Sequence, residues 1–459
     1  MTKHTLHAGV EQVDITPPLG VEMCGYGPYE KRKCTQVLDP LYARALWLQS
    51  GDSDLLIIAA DVCTIDRSTR DRITSALAQT PGIDPARVLI AASHTHSGPA
   101  MQPLIAWGKV EDSYLGTFVE RVVRAARQAH ADLQPATLGC ARARVESVGI
   151  NREHPTFGVL DPAAQLMRVN RTDGSALAIV YNYAAHPVTR YPFTSRLSAD
   201  WPGLVNASLR ERFDGAMPIF LQGCAGDING HDVIFQRRDV ERMQAISDSH
   251  TGEVARRVLQ QITPALERIA CEAASGLDAR LRDIDLPLGT VDADEMRRLI
   301  DANAKAAEQL TLADLRPLHQ RMLNETEEEV QWRQARYTVD YATRQLDVLN
   351  RTPATMPAPV QVMRIGEAAI VVWPAEVFVE LGIELRQRSQ TPMTFVNAYA
   401  NRCVGYIPTS WAYESQGKAT QFGVYPTTVT PRIWGELPFR ADVADVLVNE
   451  TLAMLNHSE

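Results

Sequence analysis

Short apolar runs alternate with amphipathic stretches along most of the chain, and each pattern predicts its own kind of element. Apolar runs bounded by turn-forming residues predict buried strands, whereas apolar residues that recur every three or four positions predict helices. The predicted strands are residues 9–15, 42–49, 55–62, 88–92, 164–169, 176–183, 218–221, 360–365, 368–373 and 393–398. The predicted helices are residues 68–77, 112–129, 202–213, 247–266, 377–388 and 441–455. This intermixed order predicts an α/β fold, a mixed-sheet domain with flanking helices.

The composition and the periodicity of the sequence change between residues 292 and 350. Alanine, glutamate, arginine and leucine recur there at helical spacing, and the proline-rich segment 351–359 then returns the chain to strands. We interpret residues 292–350 as a helical insertion that covers or flanks the sheet. Neither an internal repeat nor a low-complexity tract divides the chain, so residues 1–459 are predicted to form one domain that includes the insertion.

Compact polar groups follow several of the predicted strands. His94 and His96 follow one apolar run, His186 follows a second, and Glu376 follows a third. The carboxyl ends of strands that share a sheet converge, so these side chains are expected to lie together. A lone histidine is more often a hydrogen-bonded core or surface residue, and the choice between that and a role at the site stays open for the loop histidines His154 and His231. Two or three histidines with one carboxylate, however, are the ligand set of a catalytic zinc that keeps one position open for water.

Other catalytic motifs are absent from the sequence. It contains neither the G-x-S-x-G turn of a serine nucleophile nor the G-x-x-x-x-G-K-[ST] loop that binds nucleotide phosphates. Gly98 and Pro99 occupy the places of Asp and His in the His-x-His-x-Asp-His motif of binuclear hydrolases. A mononuclear metal site is therefore favoured.

Composition narrows the choice of partners. The net charge of -9 and the lack of a basic patch argue against nucleic acid, and no apolar run is long enough to span a membrane. The seven cysteines include no C-x-x-C pair, which indicates reduced thiols rather than a disulfide framework or a thiolate zinc site. With no signal sequence at the start, these features predict a cytoplasmic protein that acts on a small molecule. They leave homo-oligomerisation open.

An ordered set of short motifs extends over most of the chain. The motifs are Asp-Ile-Thr-Pro at 14–17, Gly-Tyr at 25–26, Leu-Tyr-Ala-Arg-Ala at 41–45, Ser-His-Thr-His-Ser-Gly-Pro at 93–99, Asn-Arg at 151–152, Ala-His-Pro at 185–187, Ala-Gly-Asp at 225–227, Pro-Ala-Glu at 374–376 and Tyr-Ile-Pro-Thr at 406–409. In this order they resemble the neutral/alkaline (non-lysosomal) ceramidase family, zinc-dependent amidases that cleave the N-acyl bond of ceramide. The histidine motif is the most specific of them.

The resemblance implies a role for each matching residue. It implies one zinc ion per chain, with His94, His186, Glu376 and Tyr406 as its ligands. His96 and Arg152 are then expected to hold the substrate carbonyl and its oxyanion, and the backbone of Gly25 to line the same pocket. Fixed donors of this kind stabilise the negative charge that develops when an amide carbonyl is attacked. Asp200 is either a partner that orients a ligand imidazole or a surface carboxylate in a turn.

The sequence departs from the family pattern in two ways. The ceramidases carry a further tyrosine after the ligand tyrosine, and Lys418 stands near that place, so the oxyanion contact is either supplied by Lys418 or lost. The ceramidases proper also continue into an immunoglobulin-like domain and are usually exported. This chain is therefore expected to be the catalytic domain alone.

The sequence thus predicts a zinc-dependent hydrolase that cleaves an amide (N-acyl) bond in a small or amphipathic substrate by metal-activated water. Two alternatives stay open. A zinc esterase or lactonase acting on a soluble substrate would use the same residues. A non-catalytic, metal- or ligand-binding member of the family would keep the ligands and lose the oxyanion group, and the lysine at position 418 is the feature that favours it.

Overall fold

The computed structural model describes residues 5–153, 158–191, 194–230, 240–274, 276–321, 324–351, 353–414 and 423–456. The strands are β1 (Leu6–Asp14), β2 (Gln36–Val37), β3 (Tyr42–Ser50), β4 (Ser53–Ala60), β5 (Val88–Ala92), β6 (Gln134–Arg144), β7 (Ile150–Asn151), β8 (Ala163–Arg171), β9 (Ala176–Tyr183), β10 (Arg196–Leu197), β11 (Met217–Gln222), β12 (Ile228–Asn229), β13 (Leu277–Pro287), β14 (Thr355–Ile365), β15 (Ala368–Val372), β16 (Glu376–Val377), β17 (Met393–Asn397) and β18 (Tyr406–Ile407). The helices are α1 (Arg67–Gln79), α2 (Asp112–Ala131), α3 (Asp200–Arg212), α4 (Val240–Glu267), α5 (Ala293–Ala307), α6 (Leu318–Arg321), α7 (Glu327–Leu349), α8 (Val379–Arg388), α9 (Ser410–Glu414), α10 (Thr430–Trp434) and α11 (Val443–Asn456). A 3-10 turn covers Pro85–Arg87, and a π-helical turn covers Tyr425–Val429.

Two mixed sheets form the centre of the fold. The larger has the strand order β11-β9-β8-β6-β1-β3-β4-β5, and the smaller has the order β13-β14-β15-β17. The pairs β4–β5, β9–β11 and β15–β17 are parallel, whereas the other neighbours in both sheets are antiparallel. The predicted α/β class with a mixed sheet is confirmed.

The sheets pack face to face because strands of both sheets direct apolar residues into one shared layer. In β4, Leu55, Ile57 and Ala59 belong to the apolar layer between the sheets, whereas the alternate residues belong to the layer beneath the helices. Such alternation follows from the two-residue period of a strand. Helices α2, α3 and α4 contact the outer face of the larger sheet, and α8 and α11 contact the smaller sheet. The result is a four-layer sandwich.

Helices occupy the stretch between residues 292 and 350. Asp292 caps α5 by accepting hydrogen bonds from the backbone N–H groups of Asp294 and Glu295. Thr326 and Glu329 form a reciprocal capping box at the start of α7. Helices α5 and α7 pack against one another, and α7 also contacts α10. Among the described residues, none of the helices has the length and apolar character needed to cross a membrane.

Candidate metal centre and active site

His94 is delivered by β5 and oriented by a backbone carbonyl. It lies two residues beyond the strand, is 1% exposed and has a φ of 67°. Its Nδ1 atom lies 2.7 Å from the carbonyl oxygen of Cys63. A carbonyl can only accept a hydrogen bond, so Nδ1 carries a proton, and in the neutral ring Nε2 then carries a lone pair. Metal-binding histidines are commonly oriented in this way.

His186 is oriented in the same way from the end of β9. Its Nδ1 donates to the carbonyl of Ala225, and its backbone N–H donates to Ile228. Complete burial, together with the charge of Arg152, lowers the pKa of His186 to about 3. The ring is therefore neutral at pH 7, and its Nε2 atom also carries a lone pair.

Glu376 brings a carboxylate between these two imidazoles. It follows β15, and its Oε2 atom lies 3.3 Å from the Nε2 atoms of both His94 and His186. Burial by itself would raise the pKa of Glu376, but His94 and His186 hold that pKa well below its ordinary value. The carboxylate is therefore ionised.

The three side chains form a site that could hold a cation. The buried Nε2 of His186 and Oε2 of Glu376 have no hydrogen-bond partner within the described residues. Because both Nδ1 atoms donate to backbone carbonyls, the two Nε2 atoms and the Glu376 carboxylate oxygen face one another, and these three atoms lie within 4.8 Å of one another. Buried acceptors without donors are costly. Two imidazoles and a carboxylate are the donor set of a catalytic zinc, so these residues fit a bound Zn²⁺.

A second group of potential ligands fits a metal less well. Cys63, His94 and His96 also place ligand atoms within 4.8 Å of one another. The Cys63 sulfur, however, lies 3.8 Å from His94 Nδ1, the atom that already donates to a carbonyl. The hydrogen bond with Cys24, together with burial, raises the pKa of Cys63 well above its ordinary value, so its thiol stays protonated.

Tyr406 lies beside Glu376 through strand pairing. The two residues are direct partners in the short parallel pair β16–β18. The Tyr406 hydroxyl accepts a hydrogen bond of 2.8 Å from Nη2 of Arg152. Burial raises the pKa of Tyr406 well above its ordinary value, and the charge of Arg152 opposes that shift. The phenol oxygen thus lies beside a fixed positive charge, on the residue that pairs with Glu376.

Arg152 is held by three acceptors around this site. Besides Tyr406, it donates to the side chain of Asn229 at 3.1 Å and to the carbonyl of Gly226 at 2.8 Å. Burial disfavours its charged form, but the neighbouring oxygens of Tyr406 and Tyr425 raise the pKa of Arg152 above its ordinary value. The guanidinium is therefore charged, and its buried Nε has no hydrogen-bond partner in the described part of the chain.

His96 and Gly25 lie next to His94, and the His96 ring is also 5.8 Å from that of His186 between centroids. The Nε2 atom of His96 is 3.1 Å from Nε2 of His94, and burial lowers the pKa of His96 well below its ordinary value. Gly25 has a φ of 91°, and a Cβ atom there would lie 2.5 Å from His96 Nδ1. The absence of a side chain at Gly25 is thus what allows the imidazole to occupy its position.

A side chain at position 25 should therefore displace His96. We expect Gly25→Ala to lower kcat about 10- to 100-fold while the metal content stays unchanged, because small displacements of reacting groups are costly. Gly20→Ala is the matched control, since Gly20 has a φ of 93° but a Cβ atom there would meet no described neighbour within 4 Å. Equal losses in steady-state kinetics of both variants would assign the effect to backbone strain alone.

Two tyrosines at the site were given no individual role from the sequence, and Asp200 has a different role from one of those predicted. Tyr425, on the π-helical turn, has its ring 5.5 Å from that of Tyr406 and 5.8 Å from the Arg152 guanidinium carbon. Tyr399 stacks on His94 at 4.2 Å between ring centroids. Asp200, a candidate partner for a ligand imidazole, instead accepts hydrogen bonds from Thr189 and Arg190. Backbone carbonyls orient the imidazoles, and sequence patterns do not reveal such contacts.

Three residues singled out from the sequence lie outside the described residues. They are Lys418, the candidate oxyanion donor, and the loop histidines His154 and His231. The structure brings the other predicted site residues together, namely Gly25, His94, His96, Arg152, His186, Glu376 and Tyr406.

Comparisons with known proteins point to one family. The model of the neutral/alkaline non-lysosomal ceramidase N-terminal region matches residues 6–275. The neutral ceramidase of Pseudomonas aeruginosa is 24% identical over 471 residues, which cover 90% of this chain and 69% of that protein. The neutral ceramidase of Mycobacterium tuberculosis is 24% identical over 466 residues, which cover 87% of this chain and 71% of that protein.

Solved structures show the same fold. The crystal structure of the Pseudomonas aeruginosa neutral ceramidase matches with a TM-score of 0.70 at 19% identity, covering 99% of this chain and 75% of that chain. A ceramidase complexed with C2 matches with a TM-score of 0.69 at 18% identity, covering 98% and 75%. Since the family model matches more than half of the sequence, this chain belongs to the neutral/alkaline non-lysosomal ceramidase family.

Proposed function

We propose that this protein is a zinc-dependent hydrolase that cleaves the N-acyl amide bond of ceramide or a closely related N-acyl compound. The observation that carries the proposal is the convergence of the buried Nε2 atoms of His94 and His186 on a carboxylate oxygen of Glu376, 3.3 Å from each. Membership of the ceramidase family supports the amide bond as the target. The relatives named neutral ceramidase support ceramide as the substrate.

Four side chains would hold the metal ion. His94, His186 and Glu376 would supply two neutral imidazoles and one carboxylate, and Tyr406 would supply its phenol oxygen as a fourth ligand. When bound, Zn²⁺ lowers the pKa of a water molecule and polarises the substrate carbonyl.

Arg152 and His96 would stabilise the negative charge that develops on the carbonyl oxygen. The charge of Arg152 is fixed in place by Asn229 and Gly226. The Nε2 atom of His96 faces the lone pair of His94, so the proton lies on this nitrogen of His96. A cation on His94 would occupy that lone pair and leave the His96 N–H free to donate to a substrate oxygen. Donors fixed before the reaction need no reorganisation as charge develops.

A third donor would complete the oxyanion site. Lys418 is the candidate from the family pattern, and Tyr425 is the candidate from its position beside Arg152 and Tyr406. Burial raises the pKa of Tyr425, so its hydroxyl keeps its proton and can donate. We expect Tyr425→Phe to lower kcat and Lys418→Met to leave it unchanged if the tyrosine is the donor. The opposite result in steady-state kinetics would assign the role to Lys418.

A hydrolysis screen tests the proposed function. We expect the purified protein to release fatty acid from ceramides with short and long acyl chains. Treatment with a chelator should abolish this hydrolysis, and adding zinc back should restore it. Full activity in metal-free protein would refute the proposal. Hydrolysis of esters or lactones alone would favour the esterase alternative, and zinc binding without hydrolysis of any substrate would favour the non-catalytic one.

The cellular location stays a prediction. All seven cysteines are free thiols in the structure, which is compatible with a reducing compartment. Fractionation of the native cells with an activity assay would test the predicted cytoplasmic location.

A further inference from the structure

The loop that carries Gly25 has an unusual backbone. Positive φ angles occur at Gly25 (91°), Tyr26 (69°), Gly27 (111°), Tyr29 (54°) and Lys31 (46°). Residues other than glycine rarely adopt this region, and such strain persists only where the surroundings hold it. We call residues 25–32 the glycine loop. Its conformation therefore requires support from elsewhere in the fold.

The glycine loop determines where His96 lies. Gly25 packs directly against the His96 ring, and the ring of Tyr26 meets that imidazole edge-on at 5.1 Å between centroids. Arg32 donates hydrogen bonds to the carbonyl oxygens of Cys24 at 2.7 Å and His96 at 3.0 Å. A change in the glycine loop would thus be transmitted to the side chain proposed to hold the substrate oxygen.

Two buried arginines from the helices between residues 292 and 350 donate hydrogen bonds to the backbone of the glycine loop. Arg321, at the end of α6, donates to the carbonyl oxygens of Tyr29 at 3.2 Å and Glu30 at 2.9 Å. Arg333, on α7, donates to the carbonyl of Pro28 at 3.0 Å. Three successive carbonyls of the glycine loop are therefore bound by side chains that lie about 300 residues away in sequence.

Two carboxylates hold both arginines in place. Glu30 accepts from Arg321 at 2.6 Å and from Arg333 at 3.2 Å. Glu325 accepts from Arg333 at 2.8 and 2.9 Å and also from Arg321. The side chains of both arginines are only 2% exposed, and those of Glu30 and Glu325 are 8% and 4% exposed. Removing one partner from a buried network of this kind leaves an uncompensated charge, so breaking the network is costly.

We propose that Arg321 and Arg333 are positioning residues for the active site. Through the network with Glu30 and Glu325, the helices between residues 292 and 350 hold the glycine loop in its strained conformation. The glycine loop in turn keeps the His96 ring in its position beside His94. The inference rests on the proposed function, because it gives His96 a substrate oxygen to hold. It assigns this helical region a role in turnover beyond covering the sheet.

The test uses two conservative variants and one control. Arg333→Lys keeps the charge but lacks the planar fork needed to reach the Pro28 carbonyl and both carboxylates together. Glu30→Gln keeps the volume and removes the charge shared by the two arginines. Arg297→Gln is the control, since Arg297 lies on α5 with a 63% exposed side chain and pairs only with Asp294 among its described neighbours. Exposed pairs of this kind contribute little to stability.

We expect both conservative variants to lower kcat about 10- to 100-fold, with zinc content unchanged and KM within a few-fold of wild type. Amide hydrogen exchange should accelerate in peptides that cover residues 24–33 and stay unchanged in peptides from β4 and β5. The Arg297→Gln protein should match wild type in both measurements. A purely structural role would not separate kcat from KM, nor confine the change in exchange to one loop.

Several results would overturn the inference. A kcat within twofold of wild type in both variants would do so, as would exchange that accelerates equally along the whole chain. Failure of both variants to fold at the assay temperature would also do so, because the network would then support the entire domain. If the wild-type protein hydrolyses no N-acyl amide, the proposed function fails, whereas the exchange measurement still decides whether the arginines hold the glycine loop.

Discussion

We expect the His186→Ala protein to lose its bound zinc and to hydrolyse N-acyl amides more than about 100-fold more slowly than wild type. Mutating even the outer partners of metal ligands typically costs about 10- to 100-fold in metal affinity or activity, and His186 is itself a proposed ligand. Its Nε2 atom is fully buried and faces Glu376 Oε2 at 3.3 Å. Of the three side chains that face one another, only His94 and Glu376 would then remain to hold the ion.

Metal analysis by mass spectrometry and the initial hydrolysis rate measure this effect directly. His319→Ala is the matched control, since His319 is an exposed histidine on α6, and that variant should bind zinc and turn over as wild type does. The unfolding temperature of both variants should be recorded, because removing a buried ring also leaves a cavity. Zinc bound at full occupancy in a folded His186→Ala protein would remove His186 from the ligand set.

The convergence of the metal-site residues could be predicted because each follows an apolar strand. Such strands are readable from a single sequence, and in α/β folds their carboxyl ends meet at one edge. His94, His186 and Glu376 follow β5, β9 and β15, which come from both sheets of the sandwich. The pattern indicated where the side chains gather. It did not indicate that two sheets, rather than one, supply them.

Two long strands, β6 and β13, were not predicted from the sequence, for different reasons. β6 lies in the interior of the larger sheet but is built largely from alanine, glycine and arginine, so it shows no apolar run. Gly139 within it is needed for close packing, since a Cβ there would lie 2.2 Å from the carbonyl oxygen of Ala270. β13 is an edge strand of the smaller sheet and carries charges along its length. Charged edge strands are common because they prevent pairing with other chains.

The contacts between the glycine loop and the helices of residues 292–350 could not be predicted from the sequence either. Arg321 and Arg333 resemble ordinary solvated residues of amphipathic helices, and arginine is rarely buried without a partner. Their partners lie about 300 residues earlier in the chain, and no local pattern connects the two segments. The same holds for the carbonyls that orient His94 and His186, because a backbone acceptor leaves no trace in residue type.

Replacing Arg152 by methionine should separate metal binding from turnover. We expect Arg152→Met to retain zinc and to lose about 100- to 1000-fold in kcat, the usual effect of removing one donor from an oxyanion site. Arg152 carries a charge that Tyr406 and Tyr425 stabilise, and it is fixed by Asn229 and Gly226. Arg152→Lys should recover only part of the rate, because a lysine lacks the planar fork that these acceptors bind.

The contact between Arg152 and Tyr406 makes the metal measurement decisive. Arg152 donates to the Tyr406 hydroxyl at 2.8 Å, so loss of the guanidinium could act through the phenol instead of through the substrate. If zinc content falls together with kcat, Arg152 acts mainly by holding a ligand. If zinc stays bound and kcat falls, its charge acts on the reacting carbonyl. Arg144→Met, which removes a 71% exposed arginine paired with Glu146, should change neither quantity. Full activity in Arg152→Met would exclude both roles and leave His96 as the principal donor.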